Sequence, residues 1–187
     1  QQKVYEDYFD HFEGNIDNSN DILEELGIEE LAERLRARME KHREVIQGGQ
    51  LDEDEYSFVH GNISFDTVKY SKGGQAYLSD WQRAGKTQNK ELSLVYDLGN
   101  AIQAAVENLP TKQAKSFMSG VEAEINLHYK DRPEIGEAVI NLTKLRSFAM
   151  IVNDLKGDKK DLALKNLGEN IIPNAFVTCS SLPPAVI

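Results

Sequence analysis

Apolar residues recur at helical spacing through the first quarter of the chain. From Asn20 to Val45 they return every three to five positions, and charged residues fill most of the positions between them. This spacing predicts one apolar face on a single helix, or on two helices broken near Gly27, and the glycine pair at 48–49 ends it. Residues 1–55 are therefore interpreted as leading helices.

The middle of the chain has a different pattern, in which short apolar runs alternate with turn residues. Runs at 56–59, 67–70 and 76–79 contain the aromatic and β-branched residues that strands favour. The Ser-Lys-Gly-Gly segment at 71–74, between the last two runs, predicts a hairpin loop. Residues 56–82 are thus predicted to form a loop and a small β-hairpin.

The helical period returns after about residue 91. The apolar stripes predict helices over about 91–109, from 111, from about 134 to a break at 157–158, and over 159–171. Residues 173–187, which are rich in Ser and Pro, are interpreted as a loop or tail. The predicted fold class is α+β, mostly helical, in a single domain over 1–187 with a helical bundle at 91–172.

Composition narrows the function classes. The chain has 187 residues, of which 40% are hydrophobic and 28% charged, as in one globular domain with a buried core. A net charge of -10 is poorly suited to holding nucleic acid, and no apolar run approaches the roughly 18 residues that cross a bilayer. The single cysteine, Cys179, fits a reducing compartment. We therefore expect a cytoplasmic protein that binds neither nucleic acid nor membranes.

Three short motifs lie in order between residues 58 and 102. They are His-Gly-Asn at 60–62, Asp-Trp at 80–81 and Asp-Leu at 97–98. This order resembles the catalytic half of the aminoglycoside phosphotransferase and choline kinase family, which has His-Gly-Asp, four residues and Asn, then Asp-Trp, then Asp-Leu. The resemblance implies the C-terminal lobe of a protein-kinase-like fold, in which the hairpin insert carries the catalytic and metal loops.

The resemblance assigns a role to each matching residue. His60 and Gly61 would support the catalytic loop structurally. Asp97 would hold that loop in place, and Asp80 would bind metal. Phosphoryl transfer has a strongly anionic transition state, so such kinases use Mg²⁺ to neutralise charge on ATP and a carboxylate to orient the acceptor hydroxyl. ATP and Mg²⁺ are therefore the implied cofactors, and a small molecule is the implied acceptor.

Two chemical positions depart from the family pattern. Asn62 replaces the catalytic Asp, and an amide cannot accept a proton at neutral pH. Thr67 replaces the metal-binding Asn and is a weaker ligand for Mg²⁺. Because a general base contributes about 10²–10⁴-fold in rate, these changes predict a pseudokinase or strongly impaired phosphotransferase that keeps a ligand- or partner-binding cleft. Asp66, beside Thr67, is the candidate substitute for the lost base or ligand, and enzyme activity stays an open question.

Two alternatives remain. The chain could belong to an active ATP-dependent kinase of amino alcohols, sugars or aminoglycosides whose N-terminal lobe lies upstream. It could instead be a helical interaction or regulatory module that binds no nucleotide. No glycine-rich strand–turn–strand segment precedes Asn20, so the N-terminal lobe is predicted to be absent from this chain. The exposed lobe interface would then contact that lobe or a protein partner.

Overall fold

A computed structural model describes residues 3–4, 14, 17–18, 21, 24, 30–47, 56–154, 157–158 and 161. Within these ranges the protein is α+β and mostly helical, which confirms the predicted fold class at this level. The predicted helix over 159–171, apart from residue 161, and the predicted tail lie outside the described residues. So does most of the predicted helical segment before residue 30. Among the described helices, none combines the length and the apolar character needed to cross a membrane.

Four helices make up most of the described residues. They are α1 (Glu30–Gln47), α2 (Lys90–Asn108), α3 (Thr111–His128) and α4 (Pro133–Asp154). The last three begin within one residue of their predicted starts. The Asn89 side chain caps α2 by accepting a hydrogen bond from the Leu92 N–H at 3.0 Å. Pro110 and Pro133 stand at the starts of α3 and α4, where the missing N–H of proline leaves no helical hydrogen bond unmade.

The hydrophobic core lies where α4 packs against α1 and α2. Met39, Val95 and Leu142, one from each helix, are fully buried there. α2 and α4 are in contact at Gly99, whose carbonyl accepts a hydrogen bond from the Ser147 hydroxyl at 3.3 Å. A Cβ at residue 99 would come within 2.6 Å of the Arg146 Cδ, so any larger residue there would force the Arg146 side chain to shift. The contact fixes the position of α2, which carries Asp97.

Two small sheets contain the described strands. The strands are β1 (Lys3–Val4), β2 (Ser57–Val59), β3 (Val68–Tyr70), β4 (Ala76–Leu78) and β5 (Gly85–Thr87). β3 and β4 form the predicted antiparallel hairpin, with Val68 opposite Leu78. The other sheet has the order β1-β5-β2, in which β5 is antiparallel to β2 and parallel to β1.

This three-stranded sheet corrects part of the sequence interpretation. Residues 1–55 are predicted as helices, but Lys3–Val4 forms a strand through backbone pairing with β5. The sequence did not predict β5 either, because Gly-Lys-Thr is too short to show alternation of apolar and polar residues. Both strands are therefore specified by their pairing. β5 returns the chain from the hairpin to the side of β2.

β2 rests on α2 and so fixes where the following loop begins. Val59 is fully buried, and the Ser57 hydroxyl lies 2.9 Å from the Ser93 hydroxyl on α2. The Asn89 amide also donates to the Ile46 carbonyl at 2.9 Å, which ties the start of α2 to the end of α1. The loop that begins at residue 60 therefore follows a strand that is packed against α2.

Candidate functional site

The residues of the three sequence motifs meet in one hydrogen-bonded network around the loop after β2. We call this the loop network, and its members are His60, Gly61, Asn62, Thr67, Ser79, Asp80 and Asp97. Sequence reasoning missed Ser79, because much of its contribution comes from its backbone N–H and carbonyl, which no residue type signals. The other six residues are those predicted from the motifs.

Asp97, in the second turn of α2, holds the start of the loop. One carboxylate oxygen accepts the His60 N–H at 2.9 Å, and the other accepts the Gly61 N–H at 2.8 Å. Hydrogen bonds to an ionised carboxylate are stronger than neutral ones. Gly61 has φ +77°, in the left-handed region that glycine adopts without steric cost. The carboxylate thus fixes two successive backbone amides in one orientation.

His60 is buried, and both of its ring nitrogens have partners. Nε2 lies 2.9 Å from the Ser79 carbonyl oxygen, which can only accept, so Nε2 carries the proton. Nδ1 then accepts the Asn62 N–H at 3.3 Å. The Trp81 ring packs edge-on against the imidazole, with ring centroids 4.6 Å apart. The imidazole is therefore a structural link between the loop and the end of the hairpin.

Asn62 and Asp80 face each other in the loop network. The Asn62 side-chain amide donates to one Asp80 carboxylate oxygen at 3.0 Å. Asp80 is exposed and has φ 62° and ψ 65°, a left-handed conformation that costs energy for a residue with a side chain. It precedes a 3-10 helix, Trp81–Arg83, in which the Trp81 indole N–H donates to the Leu78 carbonyl at 3.1 Å. The predicted metal ligand thus contacts the predicted base position directly.

The Thr67 hydroxyl is buried inside the turn that follows. It accepts the Ser64 N–H at 2.8 Å and lies 3.0 Å from both the Asn62 and the Ser64 carbonyl oxygens. One hydroxyl proton can serve only one of these carbonyls at a time. The Thr67 carbonyl in turn accepts both the N–H and the hydroxyl of Ser79, at 2.8 and 3.0 Å. Thr67 therefore holds the loop to the hairpin.

Asp66 is exposed and stays outside the loop network. Within the part of the chain that the structure describes, its carboxylate makes no hydrogen bond or ion pair with Asn62 or Asp80. The described residues also contain no group of three or more His, Cys, Asp or Glu side chains arranged to hold a metal ion. The role of Asp66 as a substitute base or ligand therefore stays a prediction.

An apolar groove of about 620 Å³ lies between α2 and α3. This volume is within the range of small-molecule sites, roughly 300–1,000 Å³. Leu94 and Leu98 line it from α2, and Phe117 and Val121 line it from α3. The Phe65 ring, from the loop after β2, packs edge-on against Phe117 with centroids 6.4 Å apart. The loop and one wall of the groove are therefore in contact.

Tyr129, which also lines the groove, has a buried hydroxyl. Burial, and after it the nearby Glu91 carboxylate, raise the pKa of Tyr129 to about 12, while Arg132 opposes the rise. The Tyr129 hydroxyl and Glu91 are close enough to interact electrostatically but do not reach ordinary hydrogen-bond geometry. This polar pair is a buried feature of the fold that sequence patterns do not reveal.

Comparison with known proteins did not identify a relative of this chain. No protein-family model matches the chain, and no curated protein or solved structure is significantly similar to it. The resemblance to the aminoglycoside phosphotransferase and choline kinase family therefore rests on the three sequence motifs at 60–62, 80–81 and 97–98.

Proposed function

We propose that the chain is a divergent, catalytically impaired relative of the aminoglycoside phosphotransferase and choline kinase family. It would form the C-terminal lobe of a kinase-like fold and keep the loop network as a ligand- or partner-binding cleft. The observation that carries the proposal is Asn62, which is in the motif position where the family has its catalytic Asp and whose amide donates to Asp80 at 3.0 Å. An amide in this arrangement can hydrogen-bond an acceptor hydroxyl but cannot take its proton.

The connectivity of the loop network supports the relationship to kinases. A loop that merely joined two strands would not need a carboxylate from a later helix, a buried imidazole and a buried hydroxyl to hold it. Phosphoryl transfer does need a rigid loop, because catalysis depends on positioning the reacting groups. Asp97 and His60 provide that rigidity here through backbone contacts at 2.8–2.9 Å.

Phosphoryl transfer by the full-length protein tests the catalytic part of the proposal. The assay combines ATP with amino alcohols, sugars and aminoglycosides and compares the wild type with Asn62→Asp and Asp80→Ala. We expect the wild type to transfer phosphate no faster than the Asp80→Ala protein. Transfer by the wild type that Asp80→Ala abolishes would contradict the proposal and favour the active kinase alternative.

Nucleotide binding tests the cleft separately from catalysis. We expect ATP to raise the melting temperature of the full-length protein, because a ligand that binds only the folded state stabilises it. The Asp97→Asn variant should show a smaller rise, since its loop is no longer held by two hydrogen bonds. No rise with ATP would favour the helical interaction module instead, for which the apolar groove between α2 and α3 is one available surface.

A further inference from the structure

We infer that the Asn62 amide takes the place of a divalent cation beside Asp80, so that this site is complete without Mg²⁺. The inference rests on the proposed function, since the resemblance is what implies Mg²⁺ at Asp80. It goes further, because an impaired kinase could still bind the metal. Its basis is the 3.0 Å contact from the Asn62 side-chain nitrogen to the Asp80 carboxylate.

The orientation of the Asn62 amide follows from the chemistry of its neighbour. An ionised carboxylate only accepts hydrogen bonds, so the amide must present its NH₂ group and not its carbonyl oxygen. The carboxylate therefore meets partial positive charge where a kinase would hold a cation. A rotated Asn62 could offer its oxygen to a metal ion, but Asp80 would then lose this hydrogen bond.

Thr67, the other position implied to bind the metal, already uses its hydroxyl in hydrogen bonds to the backbone. Its hydroxyl is buried, with three backbone atoms of Asn62 and Ser64 within 3.0 Å. Turning it toward Asp80 would leave the Ser64 N–H without its acceptor. Mg²⁺ demands near-octahedral oxygen coordination and is held through one or two carboxylates together with waters and substrate phosphates, and here the Asp80 carboxylate already accepts the Asn62 amide. The residues present therefore do not fit Mg²⁺.

The Asn62→Asp variant replaces the amide with a carboxylate, which has almost the same size and shape but carries a negative charge. Two carboxylates would then face each other at about the distance of the present hydrogen bond, and their repulsion destabilises the fold unless a proton or a cation lies between them. Without added metal, the variant should melt roughly 2–4 °C below the wild type. Millimolar MgCl₂ or MnCl₂ should restore most of this loss.

The test measures melting temperature against MgCl₂ and MnCl₂ at fixed ionic strength for four proteins. They are the wild type, Asn62→Asp, Asn62→Ala and Gln113→Glu, and Asp80→Asn is measured as a fifth protein if the wild type responds to the metal. Asn62→Ala removes the amide without adding charge, so it should lose stability and gain no response to the metal. Gln113→Glu adds one carboxylate at an exposed position on α3 and controls for weak binding of cations to an acidic surface.

The expected result is a metal response in Asn62→Asp alone. A rise in the wild-type melting temperature with Mg²⁺ that Asp80→Asn abolishes would overturn the inference. So would an Asn62→Asp variant that is as stable as the wild type and unresponsive to both metals, because the amide would then not be replacing a cation.

The outcomes of this test and of the activity assay are separable. A wild type that binds Mg²⁺ at Asp80 but transfers no phosphate would overturn the inference and leave the proposed function standing. A wild type that ignores Mg²⁺ yet transfers phosphate would contradict the proposed function and leave the metal-independent site standing.

Discussion

Among single residues, Asp97 makes the contacts on which the loop after β2 depends. Replacing it with Asn turns one of its two accepting oxygens into an NH₂ group that faces a backbone N–H. We expect Asp97→Asn to lower the free energy of unfolding by about 1–3 kcal/mol, the range for a buried donor left without an acceptor. Urea denaturation measures the change. Glu124→Gln, an exposed change of the same chemistry on α3, should alter stability by less than about 0.5 kcal/mol, and an equally small effect at Asp97 would contradict the role assigned to it.

Tyr129 gives the fold a dependence on alkaline pH. Its pKa is raised to about 12 in the folded protein, mainly by burial, whereas an unfolded tyrosine titrates near 10. Between these values the unfolded state releases a proton that the folded state keeps. The free energy of unfolding is therefore unaffected by Tyr129 titration below about pH 10 and decreases as the pH rises toward 12.

Tyr129→Phe should remove this part of the alkaline decline. Near neutral pH the substitution should change stability by less than about 1 kcal/mol, because the hydroxyl has no hydrogen bond of ordinary geometry to lose. Urea denaturation at about pH 8 and about pH 11 measures the difference between the two proteins. Tyr70→Phe, at an exposed position, is the matched control. A difference that stays constant across this pH interval would show that Tyr129 does not cause the decline.

At the scale of elements, replacing either of two helical glycines with alanine should have opposite effects on stability. Gly99 lies where α2 meets α4, and a Cβ there would come within 2.6 Å of Arg146 Cδ. Arg146 cannot easily move aside, because its guanidinium lies over the Tyr96 ring and donates to Asn100 at 3.1 Å. Gly120 lies in α3 with open space around it.

We expect Gly99→Ala to lower the free energy of unfolding by about 1–3 kcal/mol through overpacking. Gly120→Ala should raise it by roughly 0.5–1 kcal/mol, because alanine is the better helix former and nothing obstructs its methyl group. Thermal and urea denaturation of the two variants provide the comparison. If both substitutions stabilise the protein, the α2–α4 contact is looser than the structure indicates.

The elements also show what a sequence can predict and what it cannot. α2, α3 and α4 were predictable because each carries an apolar stripe over five or more turns and begins at an Asn or Pro that sets its start. β1 and β5 were not, because two or three residues are too few for a pattern and their pairing partners lie far away in the sequence. Short strands are decided by tertiary pairing, which a local pattern does not contain.

In the candidate site, too, some features were predictable from the sequence and others were not. His60, Asn62, Asp80 and Asp97 were predictable as a group because the resemblance assigns each of them a role. Their hydrogen bonds were not, since the contact between Asn62 and Asp80 depends on the left-handed backbone at residue 80. The saturation of the Thr67 hydroxyl could not be foreseen either, because it arises from backbone atoms of the turn.

At the scale of the whole molecule, charge is unevenly distributed. The chain has 31 acidic and 21 basic residues, yet the segment 69–90 contains five basic residues and one acidic residue. The excess of acid therefore lies outside the hairpin and the 3-10 helix. Repulsion among these acids destabilises the folded state, whereas attraction between them and the basic segment stabilises it.

The net charge of -10 indicates that repulsion outweighs attraction, so salt should stabilise the protein. Raising NaCl from about 10 to 150 mM shortens the Debye length from roughly 30 to 8 Å and should raise the melting temperature. KCl should act equally, because screening depends on ionic strength and not on the identity of the cation. A fall in melting temperature would mean that attraction to the basic segment dominates. Because Mg²⁺ screens the same repulsion, only a response beyond that of NaCl at equal ionic strength can be assigned to a cation between residues 62 and 80.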